Sequence, residues 1–246
     1  MKRAILCFCV MLILGSCVAK SPIVPQEPQL VKISIDSNQP IERINVENPG
    51  ECGEDKISRA MEVKNPEGQL SGLTFISGDV AYLKIFSGIG VVDQINIWND
   101  FIVLKDTTDI RLVKLFISSP GGGAFDGLGI ADQIERAKDM GFEVEAHASG
   151  IVASAAVPIF AVCTRRYAAP GTIFMVHQTS MFKFGMENAQ DIRAQNELME
   201  LLRDRYLGKL VQYSDLTRDQ WEAMEKKTTW FNADQAMQYG LVDEIK

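Results

Sequence analysis

Residue types suited to chemistry gather at two serine-bearing stretches and one histidine. The first stretch, Ser118-Ser119-Pro120-Gly121-Gly122-Gly123, lies between a strand-like and a helix-like run. Consecutive glycines let backbone N–H groups approach a ligand with no Cβ atoms in the way. Such a loop binds an extended peptide backbone or supplies an oxyanion donor; the plain alternative is a tight turn. Phosphate binding is disfavoured, because the Lys-Ser/Thr pair of a Walker loop and the GxGxxG spacing are both missing. The second stretch, Gly150-Ile151-Val152-Ala153-Ser154-Ala155-Ala156, sets a hydroxyl among small residues where a loop enters an apolar helix. A serine there is either a helix cap or a nucleophile whose neighbouring helix amides face a forming oxyanion. Pro158 fits the first turn of a helix beginning near Ser154. Of the two histidines, His147 and His177, the second ends a strand-like run and leads into Gln178-Thr179. At neutral pH a serine hydroxyl needs a neighbouring base to become a useful nucleophile. A structural role is the other reading of that imidazole.

These groups need a frame that brings distant segments together. Strand-like runs are Val80–Phe86, Leu112–Ser118, Phe142–Ala148 and Ile173–His177; helical spacing marks Val91–Leu104, Asp126–Met140 and Ser154–Val162. Leu128, Ala131 and Ile134 share one face of the second helix, and Gly141 stops it. Strands alternating with helices predict βαβ units and an α/β domain. The longest helical stretch is Ala189–Tyr213. Ile192, Met199, Leu202, Tyr206 and Leu210 form one apolar stripe on it. A second stripe, Leu198, Leu201, Leu207 and Val211, widens the apolar arc beyond what one contact surface requires.

Composition is that of a globular chain: 246 residues, 46% hydrophobic and 23% charged, with net charge −7. No Lys/Arg-rich run suits a phosphate backbone, so nucleic acid is not an expected partner. No CxxC or Cys/His cluster offers a zinc site, and neither a metal nor a cofactor is expected. Lys2 and Arg3 followed by the apolar run Ala4–Leu14 have the form of a secretory signal, since a membrane-spanning helix needs about 20 apolar residues. The run ends in Leu14-Gly15-Ser16-Cys17, which resembles a bacterial lipobox. The expected layout is therefore a lipoprotein-type signal over 1–16, lipidation at Cys17 and a proline-rich tether over 17–29. An N-terminal extension over 30–75 and the main domain over 76–246 follow. Export would expose the remaining Cys52 and Cys163 to an oxidising compartment, where they either pair or stay as two thiols with Cys163 buried.

Ser119-Pro120-Gly121-Gly122, Ala153-Ser154, Met175-Val176-His177-Gln178 and Ala236-Met237-Gln238-Tyr239-Gly240-Leu241-Val242-Asp243 follow one another in a set order. That order and spacing resemble the proteolytic subunit of Clp proteases, over roughly Gly78 to Lys246. The resemblance implies a crotonase-like α/β fold, a spiral of ββα units with Ala189–Tyr213 as a helical handle between subunits of a homo-oligomer. It implies a peptide or unfolded protein as substrate. It gives Ser154 the role of nucleophile, His177 that of base, and Gly121, Gly122 and the N–H of Ala155 that of oxyanion hole. The chain departs from the family at the third triad position, where Thr228 replaces an acid; Glu225, about one helical turn earlier, is the candidate substitute. Related membrane-associated peptidases use a Ser–Lys dyad, which makes Lys183 or Lys209 the alternative base. An exported member lacks an ATP-driven unfoldase, so the expected activity is ATP-independent peptide hydrolysis at the cell envelope. A catalytically inactive scaffold or peptide-binding protein is the other expectation.

Overall fold

The computed structural model describes residues 63–64, 69–180 and 188–246. The described residues all belong to one compact unit, Lys56–Lys246. The signal-like segment, Cys17, the tether, Cys52 and Lys183 lie outside the described residues.

The strands are β1 (Val63–Lys64), β2 (Thr74–Ser77), β3 (Val80–Ile85), β4 (Leu112–Ser119), β5 (Glu143–Ala153), β6 (Arg165–Ala168), β7 (Ile173–Val176), β8 (Thr229–Asn232) and β9 (Glu244–Ile245). They form one sheet in the order β1-β2-β3-β4-β5-β6-β9, with β7 added to β5 and β8 to β7. The β3-β4-β5 centre is parallel, whereas β2 pairs antiparallel with β3. The sheet thus includes residues before 76, and β2 covers the edge that β3 would otherwise expose. Alternation explains the strands. Along β4, Val113, Leu115, Ile117 and Ser119 are buried and the residues between them are only partly so, as a period of two requires. The less buried face carries a row of rings, Phe75, Tyr82, Phe116, His147 and Tyr167, with successive centroids 5.0, 6.2, 5.0 and 4.9 Å apart.

Helices α1 (Val91–Thr107) and α2 (Ala124–Asp139) cover the other face. Ile97, Phe101 and Leu104 of α1 meet Leu115, Ile130 and Ile134 in the main core, each such side chain contributing about 1.5–3 kcal/mol on burial. The wholly buried α3 (Ala156–Ala161) packs behind the sheet. Helix α4 (Ala189–Gln212) starts at Asn188, whose side-chain oxygen accepts from the N–H groups of Gln190 and Asp191, both at 2.9 Å. It buries Leu202, Tyr206, Leu207 and Leu210 and leaves Ile192, Leu201 and Val211 exposed. The two expected stripes are thus mixed: Leu207 belongs to the core and Ile192 does not. Helices α5 (Arg218–Lys226) and α6 (Ala233–Gln238) flank β8.

Strand β5 positions the site. Its first part, Glu145–Ala148, pairs with β6, and its last part, Ile151–Ala153, pairs with β7. Gly150, at φ 64°, bends the strand between the two partners. The strand ends at Ala153 against Met175 of β7, so Ser154 and His177 each leave the sheet beside the other.

Candidate active site

Ser154 does not cap a helix. Its N–H donates to the Met175 carbonyl at 2.8 Å, continuing the β5–β7 ladder by one step, and its φ of 54° lies in the left-handed region. The helix begins only after Ala155, which corrects the expected start at Ser154. A non-glycine residue held there is strained, and the strain turns the hydroxyl out of the strand. The hydroxyl meets the expected partner: His177 Nε2 lies 2.8 Å from Ser154 Oγ. With Oγ–H donating, Nε2 accepts and the ring proton sits on Nδ1.

The glycine loop lies against this pair. A Cβ on Gly121 would stand 2.6 Å from the Ala153 carbonyl oxygen, 2.7 Å from Ser154 Cβ and 3.0 Å from Ala155 N. Only glycine allows that approach, and φ 93° there also favours glycine. The Gly121 N–H donates to Ser119 Oγ at 3.1 Å, and the Gly123 N–H to the Ile89 carbonyl at 2.9 Å. Among the described residues, the N–H groups of Gly122 and Ala155 have no protein acceptor. Two unused amides thus belong to the residues next to Gly121 and Ser154, which are in contact, and free backbone donors of this kind can stabilise an oxyanion.

The third member expected at Glu225 is not there. Glu225, in the last turn of α5, is 2% exposed and accepts from Arg203 Nε of α4 at 2.8 Å. Among the described residues no carboxylate hydrogen-bonds or ion-pairs with the His177 ring. Thr228, with φ 52°, is exposed and donates its N–H to the Glu225 carbonyl at 3.2 Å. The alternative base Lys209 is likewise engaged elsewhere, on Asp132 at 2.8 Å and Glu135 at 2.7 Å of α2. Burial alone would raise the Asp132 carboxyl, but Lys209 and a second cation, Arg205, hold it below the usual range. Cys163 is free and buried, with its thiol pushed up to about 12 by desolvation; it is an inert core residue.

Two supports of the site carry little signal in the sequence. Tyr206, placed on the apolar stripe of α4, sends its hydroxyl to the Ser154 carbonyl at 3.4 Å. Burial, and secondarily Glu225, raise its pKa and keep the proton on it. The only sequence signal was a tyrosine where a purely apolar stripe needs none. Ser119 was visible only as part of the loop.

The fold and site define a crotonase-like α/β protein with a serine and a histidine joined at the edge of two parallel strands, beside free amides. The sequence model described as Clp protease matches residues 82–246, and the chain belongs to that family. It is 29% identical over 165 residues to proteolytic subunit 2 of the ATP-dependent Clp protease of Thermobifida fusca (strain YX), covering 65% of this chain and 79% of the relative. It is 28% identical over 165 residues to proteolytic subunit 1 from Mycobacterium leprae (strain TN), covering 65% and 80%. A ClpP1 variant from Listeria monocytogenes superposes with a TM-score of 0.59 at 22% identity, over 67% of this chain and 90% of that one. That likeness supports the crotonase-like fold implied by the motifs.

Proposed function

We propose that this chain is a serine endopeptidase that cleaves peptides or unfolded segments without ATP at the cell envelope. In this reading it is held to the membrane through lipid on Cys17 and works as a homo-oligomer. The contact of 2.8 Å between Ser154 Oγ and His177 Nε2 carries the catalytic part. His177 Nε2 takes the Oγ proton as Oγ bonds to the substrate carbonyl carbon. The carbonyl oxygen becomes an oxyanion facing the free N–H groups of Gly122 and Ala155. Collapse breaks the C–N bond, the imidazolium returns the proton to the leaving amine, and an ester on Ser154 remains. Water, deprotonated by the same nitrogen, then releases the acid and restores Ser154. The ATP-independent part rests on the signal-like segment, because nucleotide-driven unfolding belongs to the cytoplasm. The exposed Ile192, Leu201 and Val211 of α4 support self-association.

Thr228 favours a second reading, a binding-only relative, since a threonine cannot stabilise an imidazolium as a carboxylate does. Labelling with a serine-directed phosphonate, together with turnover of a fluorogenic peptide in the absence of ATP, separates the two. The hydrolytic reading expects labelling that Ser154→Ala abolishes and His177→Ala weakens sharply. Labelling that survives Ser154→Ala, or an unlabelled natural protein, refutes it.

A further inference from the structure

The free Gly122 amide stands in a loop where every neighbouring amide is committed, and one buried hydroxyl does part of that committing. Ser119 ends β4 with 0% exposure. Its Oγ donates to the Ser87 carbonyl at 2.6 Å and accepts from the Gly121 N–H at 3.1 Å. These two bonds use its single proton and one lone pair. They tie the segment after β3 to the start of the glycine loop.

A peptide unit is a rigid plane whose C=O and N–H point in opposite directions. The Gly121 carbonyl accepts from the Ile89 N–H at 2.9 Å, so the Gly122 N–H on the same plane points away from Ile89. The preceding plane, between Pro120 and Gly121, is fixed through its N–H by Ser119. Two successive planes are thus set by two different partners. Glycine follows each of them, and glycine imposes little torsional resistance of its own. Without the Ser119 oxygen, the Gly121 N–H would be buried with no acceptor, which favours rotation of that plane toward another partner. Such a rotation moves Gly121, and Gly121 lies against Ser154 Cβ and Ala155 N. The oxyanion donors would then leave their positions without any change in Ser154 or His177.

We infer that Ser119 is a positioning residue that aims the Gly122 amide at the oxyanion site. The inference rests on the hydrolytic reading of Ser154 and deepens it. Because the two Ile89 bonds remain, removal of the hydroxyl displaces the donor and does not delete it. The expected effect is smaller than the 10²- to 10³-fold loss typical of a deleted donor, on the order of tenfold or more.

The test compares the natural protein with Ser119→Ala and Ser119→Cys. Readouts are kcat and KM for a fluorogenic peptide, the phosphonylation rate of Ser154, and the inhibition constant of a peptide ending in a free carboxylate. Ser119→Ala is expected to lower kcat and the phosphonylation rate together, at least tenfold, with KM and product inhibition within twofold. Ser119→Cys, which retains a weak donor and acceptor in nearly the same volume, should fall between and covers the case of a poorly folded alanine variant. A folded Ser119→Ala protein with unchanged phosphonylation overturns this inference alone. Parallel losses in kcat, KM and product binding make Ser119 merely structural and also overturn it. An unlabelled natural protein overturns the hydrolytic reading first, and this inference with it.

Discussion

Strand β7 pairs antiparallel with β8 so that Val176 faces Thr229. Continuing that register by one step sets Thr228 opposite His177, beyond the last ladder pair. Directly opposed residues in such a pair hold their Cβ atoms about 4.5–5.5 Å apart, within reach of a short side chain. An aspartate at 228 would therefore put a carboxylate beside the imidazole. At roughly 5 Å and an effective dielectric of about 20, a carboxylate and an imidazolium attract by about 3 kcal/mol. That is a factor on the order of 10² in rate, below the loss of about 10⁴ seen when a triad acid is neutralised. Thr228 is exposed, and solvent screening reduces the gain to about tenfold or more. Thr228→Asp should raise kcat/KM at least tenfold on a fluorogenic peptide. It should also shift the acid limb of the profile to higher pH, since the carboxylate favours the protonated ring.

Backbone strain requires a control. Thr228 is β-branched and sits at φ 52°, a conformation that Asp and Asn adopt more readily. Both Thr228→Asp and Thr228→Asn should therefore melt higher than the natural protein, by about 2–4 °C for each kcal/mol of strain relieved. Only the aspartate should raise activity. Equal rates in the two variants would mean that no charge at 228 reaches His177, and the placement inferred from the strand register would fail.

Three further outcomes follow from the same geometry. Because Ser154 has φ 54°, Ser154→Gly should be more stable than Ser154→Ala, by about 1 kcal/mol in urea unfolding; the reverse order would deny strain at Ser154. Glu225→Gln leaves Arg203 with Glu222 at 3.2 Å and Glu200 at 3.8 Å but breaks a buried pair, so it should cost about 2 kcal/mol or more in stability and leave the pH midpoint of hydrolysis unmoved. A moved midpoint would return Glu225 to the catalytic site. His147, between Phe116 and Tyr167, has its pKa lowered first by burial, with Glu145 opposing. The unfolded chain then binds the proton more readily, so this contribution to stability is present above the ordinary value near 6.5 and is lost as pH falls below it. His147→Phe retains the ring stack, and its urea-unfolding free energy should fall less than that of the natural protein between pH 7.5 and 5.5.

How far the residues alone foretold the molecule depends on how local each cause is. The β3-to-β5 strands and helices α1, α2 and α4 were legible because period-two or helical patterning runs through eight or more residues in most of them. Strands β6, β8 and β9 have four, four and two residues, too few for a period to emerge; β7, equally short, showed only because Ile173-Phe174-Met175-Val176 is an unbroken apolar run. The pairing of Ser154 with His177 was anticipated through motif order, but the reason for it was not. It lies in β5, which changes partner from β6 to β7 at Gly150. Glu225 was misplaced because helical spacing gives distance along one helix only. Its actual partner, Arg203, lies 22 residues earlier on another helix, and a buried carboxylate follows its cation.

The two non-glycine residues with left-handed φ among the described residues are Ser154 and Thr228. One is joined to His177 by a hydrogen bond; the other directly precedes Thr229, which faces Val176 at the end of the β7–β8 ladder. Strain of this kind persists only where surrounding structure holds it. At Ser154 the holding bonds are visible, in the N–H to Met175 and the carbonyl shared by Val157 and Tyr206. At Thr228 they are the turn at the end of α5 and the adjoining Thr229 hydroxyl, which donates to the Met224 carbonyl at 2.7 Å. The backbone at 228 thus keeps a shape suited to aspartate while the side chain supplies no charge. What position 228 lacks is charge, and not a backbone suited to carry it. That distinction is why one substitution at 228 tests the electrostatics of the site without rebuilding it.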